Sequence, residues 1–209
     1  MDKISWPEEK WDNVLFSDES VFRIRFTGRK TYWKHQNNSN DVDQQYYQGR
    51  HMKKFMIWGC FSSNGVGVLH RCEGNMNQEK YLNVLSNEMM ESGQQIFAGK
   101  PFIFQQDNAP CHKTKRVVAY WKQEQHDGIL SVLEWPAYSP DLSPIENLWA
   151  IIDKSLDSRL TVTEDQLWKL LQDAWYGLNY RKEILSNLCR SMKARLAKCI
   201  ELKGQPTKF

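Results

Sequence analysis

Hydrophobic and polar residues alternate strictly along residues 14–26, VLFSDESVFRIRF. Phe16, Phe22 and Ile24 share one parity, and Asp18 lies among them. Because successive side chains of a strand point to opposite faces, this pattern predicts a half-buried strand with a carboxylate on its apolar face. A turn at Thr27-Gly28 and a short return strand at 30–34 complete a predicted hairpin.

The remaining pattern predicts strands first, then alternating strands and helices, then helices. Strands are expected at 54–62, 66–72, 101–107 and 129–135, and helices at 77–98, 113–123, about 144–158, 163–178 and 181–200. This order indicates an α/β domain with a mixed sheet. There is no internal repeat and no linker composition, so residues 1–209 are interpreted as one domain.

Composition narrows the class of protein. Hydrophobic residues make up 41% and charged residues 25% of 209, which is close to the globular average. The longest apolar runs, such as 55–61, fall far short of the ~20 residues that cross a bilayer, so no membrane segment is expected. Residues 1–5 lack the apolar core of a signal peptide. The five cysteines include no C-x-x-C pair, which favours reduced thiols in a cytosolic or nuclear protein.

Charge is distributed unevenly along the chain. Residues 181–209 contain eight Lys or Arg and two Glu, a net charge of +6; the whole chain carries +3, so residues 1–180 carry −3. A basic end beside an acidic body suits a polyanion-binding surface next to a carboxylate site. A solvated helix face explains the same charges. If the segment binds DNA, Lys193, Arg195 and Lys198 are the first candidates for phosphate contacts.

Three acids are candidate metal ligands, and each also has a structural explanation. Asp18 on an apolar face needs a metal or a hydrogen-bonding partner. Asp107 ends a predicted strand, where it is either a ligand or the start of an Asx turn. Glu146 completes the pattern of a capping box with Ser143, while the first turn of a helix also keeps a ligating carboxylate ionised.

Two strand ends and a helix start can bring three carboxylates onto a pair of divalent cations. Phosphodiester chemistry uses two such ions to activate the attacking oxygen and to stabilise the leaving one. Oxygen ligands favour Mg²⁺ or Mn²⁺. The sequence contains neither a P-loop nor a G-x-S-x-G motif, so nothing supports a P-loop nucleotidase or an α/β-hydrolase.

The residues around each acid carry a family resemblance. The segments WDNVLFSDESVF at 11–22, QQDNAPCH at 105–112 and YSPDLSPIENLW at 138–149 resemble the three acidic blocks of the Tc/mariner superfamily of DNA transposases. IWGCFSSNGVG at 57–67 resembles the block between the first two, and KGQPTKF at 203–209 resembles the C-terminal ending of the family. The matches follow the family order and cover almost the whole chain.

The resemblance implies an RNase H-like fold, with a mixed central sheet flanked by helices, and a DDE site. It makes Asp18, Asp107 and Glu146 the catalytic and metal-binding residues, with two Mg²⁺ or Mn²⁺ ions as cofactors. It implies cut-and-paste chemistry in the nucleus: cleavage at transposon ends, then attack of the freed 3′-hydroxyl on target DNA, typically at TA. No covalent protein–DNA intermediate is implied.

The chain departs from the family in two respects. The 38 residues between Asp107 and Glu146 exceed the usual spacing of this branch, and the surplus falls in the QEQHDG stretch at 123–128. The family's N-terminal helix-turn-helix region has no counterpart, which is expected of an excised catalytic domain or of a shortened, domesticated derivative. The alternative function is therefore a DNA- or protein-binding module without cleavage activity.

Several neighbouring residues have candidate supporting roles. Asn108 and Asn147 each adjoin an acid and are candidates to orient it, as outer-shell groups do. His112 lies in the family's D-N-x-P-x-H pattern and either approaches the phosphate or metal, or makes a structural hydrogen bond. Trp135 and Trp149 flank the third block and are interpreted as core residues.

The first hairpin and the loop after it supply candidate contacts to DNA and to a partner subunit. Arg25, Arg29 and Lys30 on the hairpin either contact DNA phosphates or form a plain exposed face. In mariner relatives a loop in the place of residues 35–53 reaches the partner subunit, and a solvent loop without such a contact is the alternative for this polar segment. The resemblance therefore implies a homodimer in the full-length assembly.

Overall fold

The computed structural model describes residues 3–23, 54–125, 128–156 and 163–209. Its centre is one six-stranded sheet in which β3, β2, β1, β5 and β6 follow one another and β4 also pairs with β2. The strands are β1 Val14–Arg23, β2 Lys54–Ser62, β3 Gly65–Val66, β4 His70–Cys72, β5 Phe102–Gln105 and β6 Leu130–Val132. Because β1 pairs antiparallel with β2 but parallel with β5, the sheet is mixed, as predicted. Arg25, Arg29, Lys30 and the loop at 35–53 lie outside the described residues.

Helices cover both faces of this sheet. They are α1 Glu8–Trp11, α2 Gln78–Val84, α3 Met90–Phe97, α4 Lys115–Glu124, α5 Pro144–Ser155, α6 Glu164–Gly177, α7 Lys182–Arg190 and α8 Met192–Glu201. A π-helical stretch, Leu85–Met89, joins α2 to α3, so the predicted helix over 77–98 is confirmed with one irregularity. Within the described ranges, no helix is both long and apolar enough to cross a bilayer.

Two predicted elements are interrupted by side chains that bond to the backbone. The expected strand 66–72 is two short strands, because the amide of Val68 donates to Ser92 Oγ and that of Leu69 to Tyr176 Oη. The expected helix 181–200 is two helices that meet at Ser191. The Ser191 hydroxyl donates to the Leu188 carbonyl and accepts from Arg195, and such side-chain bonds compete with the helical ladder.

Alternation along β1 and β2 separates the apolar side chains into two cores. Phe16 and Ile57 lie on one face with α5, α6 and α7, where Trp149 and Trp175 stack with ring centroids 4.9 Å apart. Leu15, Trp58 and Phe104 lie on the other face with the helices that follow β4 and β5. Trp149 is therefore a core residue, as predicted, and Trp135 packs against the same cluster. Both faces of the sheet are buried, which leaves its strand ends as the place for a site.

Candidate active site

The three predicted acids line a single cavity of about 490 Å³. Asp18 lies within β1, Asp107 lies two residues beyond β5, and Glu146 lies in the first turn of α5. In the parallel β1–β5 pair, Phe16 is opposite Gln105, so Asp18 and Asp107 each follow the paired position by two residues. The register therefore brings these two residues to the same edge of the sheet, and α5 brings Glu146 to the cavity that they line.

Asp18 is held by a tryptophan and crowded by other acids. The indole Nε1 of Trp149 donates to Asp18 Oδ2 over 3.2 Å. Burial raises the pKa of Asp18 well above its usual value, and the charges of Glu146, Glu19 and Asp107 raise it further. An excess of negative charge in a partly buried site is the condition that a divalent cation relieves.

Glu146 does not form the predicted capping box. The Ser143 side chain makes no capping hydrogen bond, and the backbone amide of Ser143 donates instead to the carbonyl of Pro140 over 2.7 Å. That prediction was therefore wrong, and the Glu146 carboxylate faces the cavity rather than the helix start. Desolvation and the charge of Asp107 raise the pKa of Glu146.

Asp107 has the opposite electrostatic environment. Its Oδ1 lies 2.7 Å from His112 Nδ1 and accepts the amide of Ala109 over 2.9 Å. The contact with the imidazole lowers the pKa of Asp107 and outweighs the effect of desolvation. The amide contact is the Asx-type turn expected at a strand end, so the structural and the chemical interpretations of Asp107 hold together.

The residues expected to orient the acids act in different ways. Asn108 Nδ2 donates to the Trp135 carbonyl over 2.7 Å and so holds the cavity wall rather than a carboxylate. Asn147 Oδ1 accepts from Arg195 over 2.6 Å, so the prediction that it orients Glu146 is wrong. His112 is buried and approaches the site through Asp107, with Nδ1 2.7 Å from Asp107 Oδ1.

Arg195 is not a surface cation. Only 2% of the residue is exposed, and its guanidinium donates to Ser191 Oγ, to the Asp141 carbonyl and to Asn147. Burial lowers its pKa to about 10. The prediction that Arg195 contacts DNA phosphate is therefore wrong: it ties α8 to the start of α5. Lys193 is exposed, and Lys198 pairs with Glu201 at 2.8 Å.

The sequence analysis missed two residues beside the acids. Glu19 Oε1 lies 3.4 Å from His112 Nε2 on the opposite side of β1 from Asp18. The alternation of β1 gives no signal for it, because the pattern predicts that face of the strand to be exposed. Gly59 lies opposite Asp18 in β2, and a Cβ there would be 2.8 Å from the Trp149 ring. A glycine is thus required for Trp149 to reach Asp18, and nothing in the local pattern indicates it.

The donor set fits divalent cations. Carboxylate oxygens from Asp18, Asp107 and Glu146 are the ligands that Mg²⁺ and Mn²⁺ favour. Burial first, and the charges of neighbouring carboxylates second, raise the pKa values of Asp18 and Glu146. Lys113 is exposed at the rim of the same cavity. An acidic floor with a basic residue at its edge can accept a phosphodiester.

Comparison with known proteins finds one matching family and several transposases that are similar over almost the whole chain. The DDE superfamily endonuclease family matches residues 13–168. The Tcb1 transposase of Caenorhabditis briggsae is 31% identical over 210 residues, which cover 99% of this chain and 74% of that protein. The Tc1 transposase of Caenorhabditis elegans is 32% identical over 213 residues, with the same two coverages.

Solved structures with the same fold come from the Mos1 mariner transposase. A Mos1 paired end complex with Mn superposes with a TM-score of 0.76 at 21% identity, over 95% of this chain and 57% of that chain. The isolated Mos1 catalytic domain gives a TM-score of 0.68 at 19% identity and is covered to 85%. The RNase H-like fold implied by the motifs is thereby confirmed. From the family match and the relatives at 31–32% identity, the chain belongs to the DDE superfamily endonucleases, as a transposase catalytic domain of the Tc1/mariner type.

Proposed function

We propose that this chain cleaves DNA at transposon ends and joins the freed 3′-hydroxyl to target DNA, with Asp18, Asp107 and Glu146 as ligands of two Mg²⁺ or Mn²⁺ ions. The observation that carries the proposal is the convergence of these three carboxylates on one cavity. Bound divalent ions supply activation of the attacking oxygen and stabilisation of the leaving oxygen.

The side chains of the site have distinct tasks in this proposal. Trp149 holds the Asp18 carboxylate by its indole N–H, and His112 contacts one oxygen of Asp107. Glu146 lies in the first turn of α5, where the helix dipole favours its ionised form. Lys113 at the rim attracts the phosphate that the acids alone would repel.

The relatives support DNA as the proposed partner of this chain. Mos1 has been solved as a paired end complex and as a strand transfer complex. For this protein we propose transposon ends and target DNA as partners, TA as the target site, a homodimer in the full-length assembly and the nucleus as its location. The mapping of such contacts to Arg25, Arg29 and Lys30 stays a prediction.

A nicking assay tests the cleavage step. The 209-residue chain is incubated with supercoiled DNA in Mg²⁺, in Mn²⁺ and in EDTA, beside the variants Asp18→Asn, Asp107→Asn and Glu146→Gln. We expect metal-dependent nicking by the parent chain and none by the three variants. Asp165→Asn is the matched control, because that carboxylate is 97% exposed on α6.

A second assay tests strand transfer. An oligonucleotide with a free 3′-hydroxyl end is offered together with a plasmid, and the junctions are sequenced. Joining at TA supports the proposal. A parent chain that binds DNA but neither nicks nor joins it in any metal would instead establish the alternative, a binding module without cleavage activity.

A further inference from the structure

The His112 imidazole lies between the carboxylates of Glu19 and Asp107. Nδ1 is 2.7 Å from Asp107 Oδ1, and Nε2 is 3.4 Å from Glu19 Oε1. Only 3% of the His112 side chain and 14% of the Glu19 side chain are exposed. Asp107 is half exposed and faces the cavity. The imidazole of His112 therefore connects the buried Glu19 to Asp107.

The ring itself is fixed by its surroundings. Tyr81 stacks on it with centroids 3.7 Å apart, and the Tyr81 hydroxyl donates to Gln106 Oε1 over 2.6 Å. Within the described ranges neither ring nitrogen has a hydrogen-bond partner of good geometry, so the two ion pairs are its polar contacts. Burial lowers the pKa of His112, but the contacts with Asp107 and Glu19 outweigh it and raise the pKa to about 9.

Both contacts to the Asp107 carboxylate use the same oxygen. His112 Nδ1 and the amide of Ala109 each approach Oδ1. With Oδ1 held from two directions, the rotamer of Asp107 is set and Oδ2 is the oxygen left to bind a cation. Outer-shell partners of metal ligands act in this way, and their loss typically weakens metal binding about 10–100-fold.

We propose that Glu19 and His112 are positioning residues that hold Asp107 in its metal-binding orientation, with Glu19 acting through His112. This inference rests on the proposed function, because it takes Asp107 to be a metal ligand. It assigns a task to Glu19, which adjoins Asp18 in sequence but points to the other face of β1.

Positioning and simple electrostatics predict opposite results. A protonated imidazole beside Asp107 would repel a bound cation, so removal of His112 should strengthen or leave unchanged Mn²⁺ binding if only its charge matters. If it holds Asp107, removal should weaken Mn²⁺ binding in spite of the more negative site. The direction of the change therefore decides between the two.

The experiment is a calorimetric titration of Mn²⁺ into the 209-residue chain and its variants. We expect about 10–100-fold weaker binding in His112→Ala and a smaller loss in Glu19→Gln. His112→Asn should recover part of the loss, because an amide N–H can stand near the position of Nδ1. The matched controls are His70→Asn and Glu88→Gln. His70 Nδ1 and Glu88 Oε1 lie 2.8 Å apart, and this second histidine–carboxylate pair does not line the cavity.

Three results would overturn the inference. One is unchanged or tighter Mn²⁺ binding in folded His112→Ala and Glu19→Gln; Glu19→Gln decides alone if His112→Ala fails to fold. Another is an equal loss in the control pair. The last is a nitrogen coupling to bound Mn²⁺ in pulsed electron paramagnetic resonance, which would make His112 a ligand: His112, Glu19 and Asp107 offer donor atoms within 4.8 Å of one another. If Asp18→Asn and Glu146→Gln bind Mn²⁺ as the parent does, the proposed function fails instead.

Discussion

Trp149 Nε1 donates a hydrogen bond to Asp18 Oδ2 over 3.2 Å, and this contact ties α5 to the central strand of the sheet. The same helix carries Glu146 one turn earlier, so the bond sets two of the three acids relative to each other. Gly59, opposite Asp18 in β2, leaves the space that the Trp149 ring occupies. A residue of the core thus takes part in the geometry of the site.

Trp149→Phe should weaken Mn²⁺ binding and raise the pKa of Asp18 further, because Phe keeps most of the ring but donates no hydrogen bond. Loss of a hydrogen bond to a charged group costs roughly 1.5–3 kcal/mol. Calorimetry with Mn²⁺ is the measurement. Trp121→Phe is the control, since the Trp121 indole nitrogen is buried without a hydrogen-bond partner among the described residues. Equal Mn²⁺ affinity in the two variants would contradict the assigned contact.

Gly59→Ala should lower the free energy of unfolding by about 1–3 kcal/mol, because the added Cβ would lie 2.8 Å from Trp149 and 3.0 Å from Trp175. Gly177→Ala should be neutral or stabilise by up to about 1 kcal/mol, since a Cβ there meets nothing within 4 Å. Urea denaturation of both variants measures the difference. If Gly59→Ala is as stable as Gly177→Ala, the packing of Trp149 against Gly59 is looser than described.

Asp18→Asn should raise the melting temperature in EDTA at pH 7 to 8. The folded pKa of Asp18 lies above its unfolded value, so its ionised form opposes folding at high pH, and the opposition is relieved as pH falls through the folded pKa. The gain should therefore shrink in acid. Each kcal/mol corresponds to about 2–4 °C for a chain of this size.

Added Mn²⁺ should reverse the order of stability, because it stabilises only the chain whose site is intact. Asp165→Asn is the control for the loss of one exposed carboxylate away from the cavity; that carboxylate is 97% exposed and lies 3.7 Å from Arg71. A lower melting temperature for Asp18→Asn in EDTA would mean that this carboxylate is a net stabilising group.

Lys193→Gln should reduce the log–log salt slope of DNA binding by about 0.9 and leave stability unchanged, if this exposed lysine contacts one phosphate. Arg195→Gln should leave the salt slope unchanged and lower stability, because the buried guanidinium donates hydrogen bonds to the Asp141 carbonyl and to Asn147. Its unfolding free energy should fall by about 1–3 kcal/mol for a buried partner left unsatisfied. Fluorescence anisotropy over a salt series and urea denaturation give the two quantities. A smaller salt slope of DNA binding in Arg195→Gln, with unchanged stability, would mean that Arg195 contacts DNA.

Much of the fold could be predicted because its signals are local. The alternation along β1 predicts a strand with Asp18 on its apolar face, and the spacing over 77–98 predicts a helix. Both are found, although β1 is described only to Arg23. The acids could be located because each lies in a motif whose neighbours are also specific. These features depend on residues within one or two turns or one strand, and short-range patterns carry them.

The failures come from partners that are distant in sequence. Arg195 resembles a solvated cation on a basic helix, yet Asp141 and Asn147 bury it. Ser143 and Glu146 have the capping-box pattern, but the backbone of Pro140 satisfies the Ser143 amide first. Propensities for caps and exposed charges are weak, and tertiary contacts override them.

The candidate site likewise has features that local sequence predicts and features that only tertiary packing decides. The motifs that resemble the Tc/mariner family name Asp18, Asp107 and Glu146 as the candidate acids, and local patterns place these acids in a strand, at a strand end and at a helix start. How the carboxylates are held depends on the packing of the chain: Trp149 reaches Asp18 across 131 positions, and Glu19 and Asp107 meet on the two sides of His112. Such contacts form only when the sheet register and the helix packing are in place, since hydrogen bonds and ion pairs depend on distances that local sequence does not encode.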